Sequence, residues 1–235
     1  MKLLRLYKLV IVFCKSLYFN FHYLPLRQAI KLPILVFNSK LMCMKGKVII
    51  DTPNLKTGLV MIGDWGVYIY PNTGFVWENR GGTVIFKGKC RIGASSAISV
   101  GPFGKIVFGD DFSNTHGLKI ISSRYIEFGK SVKLGWNNLI IDTNMHPTKD
   151  YITRKKNDAG ASILIGDYNW FGTDCVVLPG VKTPERIICA LGSIITKSIK
   201  WESYSLYGGL PLHKLKDNIY RDLEDDKDEY IYINQ

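Results

Sequence analysis

From Ile165 onward apolar residues return at every sixth position, and the segment divides into the hexads IGDYNW, FGTDCV, VLPGVK, TPERII, CALGSI and ITKSIK. The first positions are Ile165, Phe171, Val177, Thr183, Cys189 and Ile195. The fifth are Asn169, Cys175, Val181, Ile187, Ser193 and Ile199. A period of six suits neither an amphipathic helix nor a simple alternating strand. It does suit short strands that close a triangular coil stacked on copies of itself, with the first and fifth positions buried in one continuous core. The pattern therefore predicts an all-β parallel solenoid.

The same spacing occurs earlier in the chain. Phe86, Ile92 and Ile98 share one frame, and Phe128, Leu134 and Ile140 share another. The frame shifts around Gly101–Gly104, where a bulge or altered corner is expected. Glycines follow the lead residues at Gly93, Gly109, Gly129, Gly135, Gly166 and Gly172, as corners with positive φ would require. Between residues 46 and 82 the pattern predicts short strands over Lys47–Ile50, Gly58–Ile62 and Gly66–Tyr70. One stretch, DTNMHPTKDYITRKKNDAGA (142–161), breaks the repeat. It is polar, charged and aperiodic, and a long loop in a solenoid usually has a function.

The expected organisation is a basic amphipathic extension or cap over residues 1–45, a solenoid over 46–206 with an excursion loop at 143–162, and a helical tail over 207–235. The net charge of +11 is uneven. Residues 1–47 hold Lys2, Arg5, Lys8, Lys15, Arg27, Lys31, Lys40, Lys45 and Lys47 and no acidic residue, whereas Asp222, Glu224, Asp225, Asp226, Asp228 and Glu229 cluster near the other end. Basic residues interleaved with Leu, Phe and Tyr suit either a cap on the solenoid or an interfacial segment on an anionic membrane. The apolar run Leu9–Phe13 is far short of the roughly 20 residues that span a bilayer. Basicity alone is non-specific, and nucleic acid is not an expected partner. Five cysteines form no CxxC pair and no cleavable signal peptide is evident, so the reading is a reduced, cytoplasmic protein, peripheral at the membrane if residues 1–45 bind lipid.

His146 is the first candidate for chemistry, because it stands where regular coil gives way to the excursion and imidazole is well suited to proton transfer near pH 7. Asp142, four residues earlier, could orient it, although a corner carboxylate is the plainer reading.

The chain resembles the hexapeptide-repeat (left-handed β-helix) acyltransferases, and most closely the sugar O-acetyltransferases of capsule and lipopolysaccharide synthesis and the galactoside and maltose acetyltransferases. The resemblance covers roughly residues 83–216 and implies the left-handed winding. LGWNNLIIDTNMHP is similar to the family's catalytic coil and makes His146 the general base. IGDYNWFGTDCVVLPGVK is similar to a common block that places Trp170 at a pantetheine tunnel or acceptor pocket and Thr173 at a cofactor contact. LGSIITK puts Leu191, Thr196 and Lys197 where the family holds acyl-CoA, and YGGLPLHKLK puts His213 and Lys216 near its basic phosphate ligands. FGDDFSNTHG is similar to the coil that supplies an acceptor-site Asn, which makes Asn114 or Thr115 the candidate. The sequence departs from the family where TPERII replaces a regular hexad, Leu191 replaces a small residue and Leu210 stands before Pro211.

The resemblance implies acetyl transfer from acetyl-CoA to a saccharide hydroxyl, a homotrimer with shared sites, and no metal. An N-acetyltransferase acting on an amino-sugar and a non-catalytic scaffold are the alternatives. A metal hydrase on the same fold would need three histidine ligands, and His22, His116 and His213 are scattered.

Overall fold

The computed structural model describes residues 2–64 and 69–226. Three sheets of nine, seven and six strands, parallel except for the last strand of the first, form the faces of a prism. Ile34–Val36 lies on the first face, Ser39–Met44 on the second and Lys47–Ile50 on the third. Val60–Asp64 then returns to the first face and pairs in parallel with Ile34–Val36. The cycle repeats along the chain as a left-handed parallel β-helix.

The hexad residues lie where their spacing put them. Phe171, Cys175, Val177, Val181, Ile187, Cys189 and Ile195 are buried, as are Asn169 and Ser193. Rings stack along the core, with Phe108 between Phe86 and Phe128 at centroid distances of 5.2 and 5.5 Å. Burial pushes the Cys175 and Cys189 thiols up, so both act as small apolar side chains. Interior asparagines serve the backbone. Asn169 Nδ2 donates to Thr183 Oγ1 (2.7 Å) and to the Pro184 carbonyl (2.9 Å), so its polarity is satisfied without water.

Several expectations change. The first strand is Ile34–Val36, ahead of the residue-46 boundary, because residues 34–44 already pair with the coil below. The strand expected at Gly58–Ile62 runs over Val60–Asp64. Trp65–Tyr68 lie outside the described residues, and the next strand is Phe75–Asn79. The named corner glycines do not adopt positive φ; that conformation belongs to Ser95, Asp111, Ser131, Asn137, Tyr168, Asp174, Arg186 and Tyr204. Gly172 is small for a different reason: a Cβ there would stand 2.8 Å from the Leu191 amide nitrogen of the next coil. The region expected to be a helical tail begins as sheet. Ser205–Gly208 joins the first face, and His213–Lys216 closes that face antiparallel.

The helix Lys2–Tyr23 (α1) covers the open end. Its inward residues Ser16, Phe19 and Asn20 are fully buried. Asn20 Oδ1 accepts from the Ile34 amide and Ser16 Oγ from the Val36 amide, so the helix supplies the ladder partners that a terminal coil lacks. The outward stripe of Val10, Phe13 and Phe21 stays about half exposed. No described helix is long and apolar enough to cross a membrane.

Candidate active site

The excursion is a tied hairpin rather than an aperiodic loop. Thr143 pairs antiparallel with Gly160, and Lys149 pairs with Lys156. At the root, the Ala161 amide donates to the Asp142 carbonyl (3.0 Å). At the tip, Asp150 accepts from the Ile152 and Thr153 amides, and Tyr151 and Ile152 are more than 80% exposed. His146 stands just beyond the root. Its amide donates to the Asn144 carbonyl (2.6 Å), while its exposed ring carries no hydrogen-bond partner among the described residues. The imidazole is thus carried on a hydrogen-bonded backbone and is itself unengaged among the described residues.

Asp142 neither orients that imidazole nor reaches an acceptor. Its buried carboxylate accepts from Ser122 Oγ (2.8 Å) and from the Ser123 (2.7 Å) and Arg124 (3.0 Å) amides, all on the preceding coil. It staples the corner from which the excursion leaves.

Two edges frame the second face. Along its border with the third face, Gly180 donates to the Ala161 carbonyl, and the Lys197 stem runs over Gly180. Thr196 is beside it, with its hydroxyl 2.7 Å from Ser198 Oγ. His146, Thr196 and Lys197 therefore share one edge. Thr173 and Leu191 stack on the border with the first face, where the Gly192 amide donates to the Thr173 carbonyl, and Leu191 is 76% exposed. Between the edges, the outward residues Leu139, Ile141, Val176, Leu178 and Ile194 make an apolar floor.

The other candidates belong to the first face. Trp170 lies on its strand beside Lys133 and Ile188, with the Arg221 guanidinium 4.6 Å over the ring. Thr115 is half-buried on the outer side. Asn114 points inward and is buried; it accepts from the Gly93 amide (3.0 Å), so it supports the core and cannot touch an acceptor. His213 and Lys216 sit exposed on the closing strand. A single chain thus divides its candidates between two faces.

Sequence reasoning missed two clusters. His116 is buried, stacked on Tyr70 at 5.1 Å, with neither ring nitrogen paired among the described residues; Trp136 packs on the same Tyr70. Nothing in the hexad pattern marks it. The second cluster gathers around Arg186, and its only sequence signal is the irregular hexad TPERII.

The fold is that of a parallel β-helix, and comparison with known proteins finds acetyltransferases among the chains it is similar to. The galactoside O-acetyltransferase of Lactococcus lactis is 28% identical over 92 residues, which are 39% of this chain and 44% of that protein. The chain thus matches less than half the length of that curated relative. The polysialic-acid-specific acetyltransferase NeuO superposes with a TM-score of 0.54 at 22% identity, covering 83% of this chain and 93% of NeuO. The polysialic acid O-acetyltransferase OatWY gives a TM-score of 0.45 at 19% identity, with 82% and 95% covered. At 22% identity the likeness to NeuO is one of fold. No family model matches the chain.

Proposed function

We propose that this protein transfers an acetyl group from acetyl-CoA to a hydroxyl of a saccharide. The observation that carries the reading is the exposed His146 ring, unpaired among the described residues, on a hairpin whose root is fixed to the coil by Asp142 and Ala161. His146 takes the acceptor hydroxyl proton as that oxygen attacks the thioester carbonyl, a tetrahedral oxyanion forms, and the C–S bond breaks. The imidazolium then returns the proton to the departing thiolate. The galactoside relative is named for O-acetylation, which favours a hydroxyl over an amine acceptor. The test is CoA release, followed with a thiol reagent, over a panel of saccharides and amino-sugars. Release should need both an acceptor and His146; release unchanged in His146→Ala removes the assignment.

The division of candidates between two faces supports a site shared between copies in a homotrimer. The second face of one copy supplies His146, Thr173, Leu191, Thr196 and Lys197, and the first face of its neighbour supplies Trp170, Thr115, His213 and Lys216. Mixing inactive His146→Ala and Trp170→Ala proteins should then restore part of the activity after subunit exchange. Strict absence of complementation in a confirmed mixed oligomer argues for sites within one chain.

Residues 1–45 serve as cap and as membrane contact. Phe13, Phe21, Leu26 and Ile30 are exposed beside the exposed bases Arg27 and Lys31, a pairing suited to an anionic interface. Deleting the helix would strip Phe19 from the core, so the cleaner variant is Phe13→Ser/Phe21→Ser. It should lose co-sedimentation with anionic vesicles at unchanged melting temperature, and undiminished binding sinks the contact.

A further inference from the structure

The irregular hexad TPERII leaves the ladder intact: Lys182–Thr183 pairs in register with Leu164–Ile165, and Ile187 with Ser205. What it changes is the corner side chain. Asp111, Ser131, Tyr168, Arg186 and Tyr204 occupy equivalent corners between the third and first faces, all left-handed with φ of 52° to 60°. Coil stacking therefore places the side chains of Tyr168, Arg186 and Tyr204 one above another. The descending tail adds Tyr220. The Arg186 guanidinium lies 4.5, 5.1 and 5.6 Å from the ring centroids of Tyr168, Tyr220 and Tyr204.

Among the described residues no carboxylate forms an ion pair with Arg186, whereas its neighbours Arg221 and Lys133 are committed to Asp226 (2.6 Å) and Asp111 (2.8 Å). Ring contacts satisfy the face of a guanidinium and leave its N–H edge for a bidentate acceptor. Arg186 lines a cavity of about 550 Å³, within the range of roughly 300–1,000 Å³ usual for small-ligand sites. Lys130 is exposed on its wall, and Asp222 is exposed at its mouth. Tyrosine rings, a guanidinium without an ion-pair partner among the described residues and the Asp222 carboxylate match a sugar ring: aromatic faces take its C–H face, the carboxylate accepts from its hydroxyls, and the guanidinium takes an acid substituent.

We propose that this corner is a second saccharide-binding site that holds a carboxylate-bearing stretch of a glycan, with Arg186 as its anion contact. The choice of a glycan rests on the saccharide-acceptor reading above. The site itself is on the prism edge opposite the second face, away from His146, Thr196 and Lys197. It anchors a chain whose other residues extend toward a catalytic face.

The test is calorimetric binding of hexagalacturonate and, as the neutral control, maltohexaose to the full chain. Hexagalacturonate should bind wild type and His146→Ala alike, and maltohexaose about tenfold more weakly or worse. Arg186→Gln should weaken hexagalacturonate about tenfold, and Tyr220→Ala several-fold. Tyr220 is 49% exposed on the tail, so its variant carries the test if Arg186→Gln does not fold. Absence of hexagalacturonate binding, equal affinity for the two sugars, indifference to both substitutions, or loss of binding in His146→Ala each overturns the site. Failure of the transferase reading looks different: no CoA release, with Arg186-dependent binding intact.

Discussion

The indole N–H of Trp77 donates a 3.0 Å hydrogen bond to the Tyr23 hydroxyl, joining the last residue of α1 to the second face of the prism. Trp77 is fully buried, and Phe19 meets it edge-on at 5.0 Å. Burial pushes the Tyr23 phenol up to about 12, although the Trp77 bond pulls the other way. Tyr23→Phe leaves a buried donor without an acceptor and should cost about 1–3 kcal/mol. Urea denaturation followed by tryptophan fluorescence checks this. An unchanged midpoint would mean that the capped end melts independently of the measured transition.

Asp142 should behave as a structural anchor with a catalytic consequence. Asp142→Ala strips the acceptor from three donors and should lower stability by at least about 2 kcal/mol. Because the excursion leaves from this residue, turnover should fall as well, and Asp142→Asn should recover part of both. Full stability of Asp142→Ala together with lost activity would instead return Asp142 to the chemistry.

Tyr125 donates to Glu127 at 2.6 Å on the third face, and Lys87 reaches the same carboxylate at 3.2 Å. The phenol bond, with help from Lys87, holds the Glu127 carboxyl below its usual range against the opposing effect of burial. A depressed carboxylate stabilises the fold above the unfolded-chain value of 4.5, and that contribution is lost as pH falls through the lower folded value. Burial first, and Glu127 second, push the Tyr125 phenol up to about 12, so its contribution is complete below 10.0 and is lost as pH rises toward about 12. Thermal melting across both limbs should show Tyr125→Phe flattening the alkaline limb and weakening the acid one. Identical profiles would refute the coupling.

Two corner glycines should fail for different reasons. A Cβ on Gly172 would crowd the next coil at Leu191, and Gly172→Ala should cost about 1–3 kcal/mol. Gly192 has open space around it but a φ of +70°, and Gly192→Ala should cost about 1 kcal/mol of backbone strain. Melting temperatures that rank the two in reverse order would contradict the stacking argument.

The period-six pattern by itself determined the coil and the inward residues, because burial of two positions per hexad is a local rule repeated along the chain. It also singled out His146, since a break in a repeat is visible as sequence. Which polar residues face inward was less legible: Asn114 and Asp142 read as site candidates, yet the structure commits them to the Gly93 amide and to the Ser123 corner. The helix cap, the division of candidates between two faces and the Arg186 cluster were decided only by tertiary structure. Arg186 meets Tyr168, Tyr204 and Tyr220 because coil stacking brings equivalent corners together across stretches of sequence, and no local pattern records what stands one coil away.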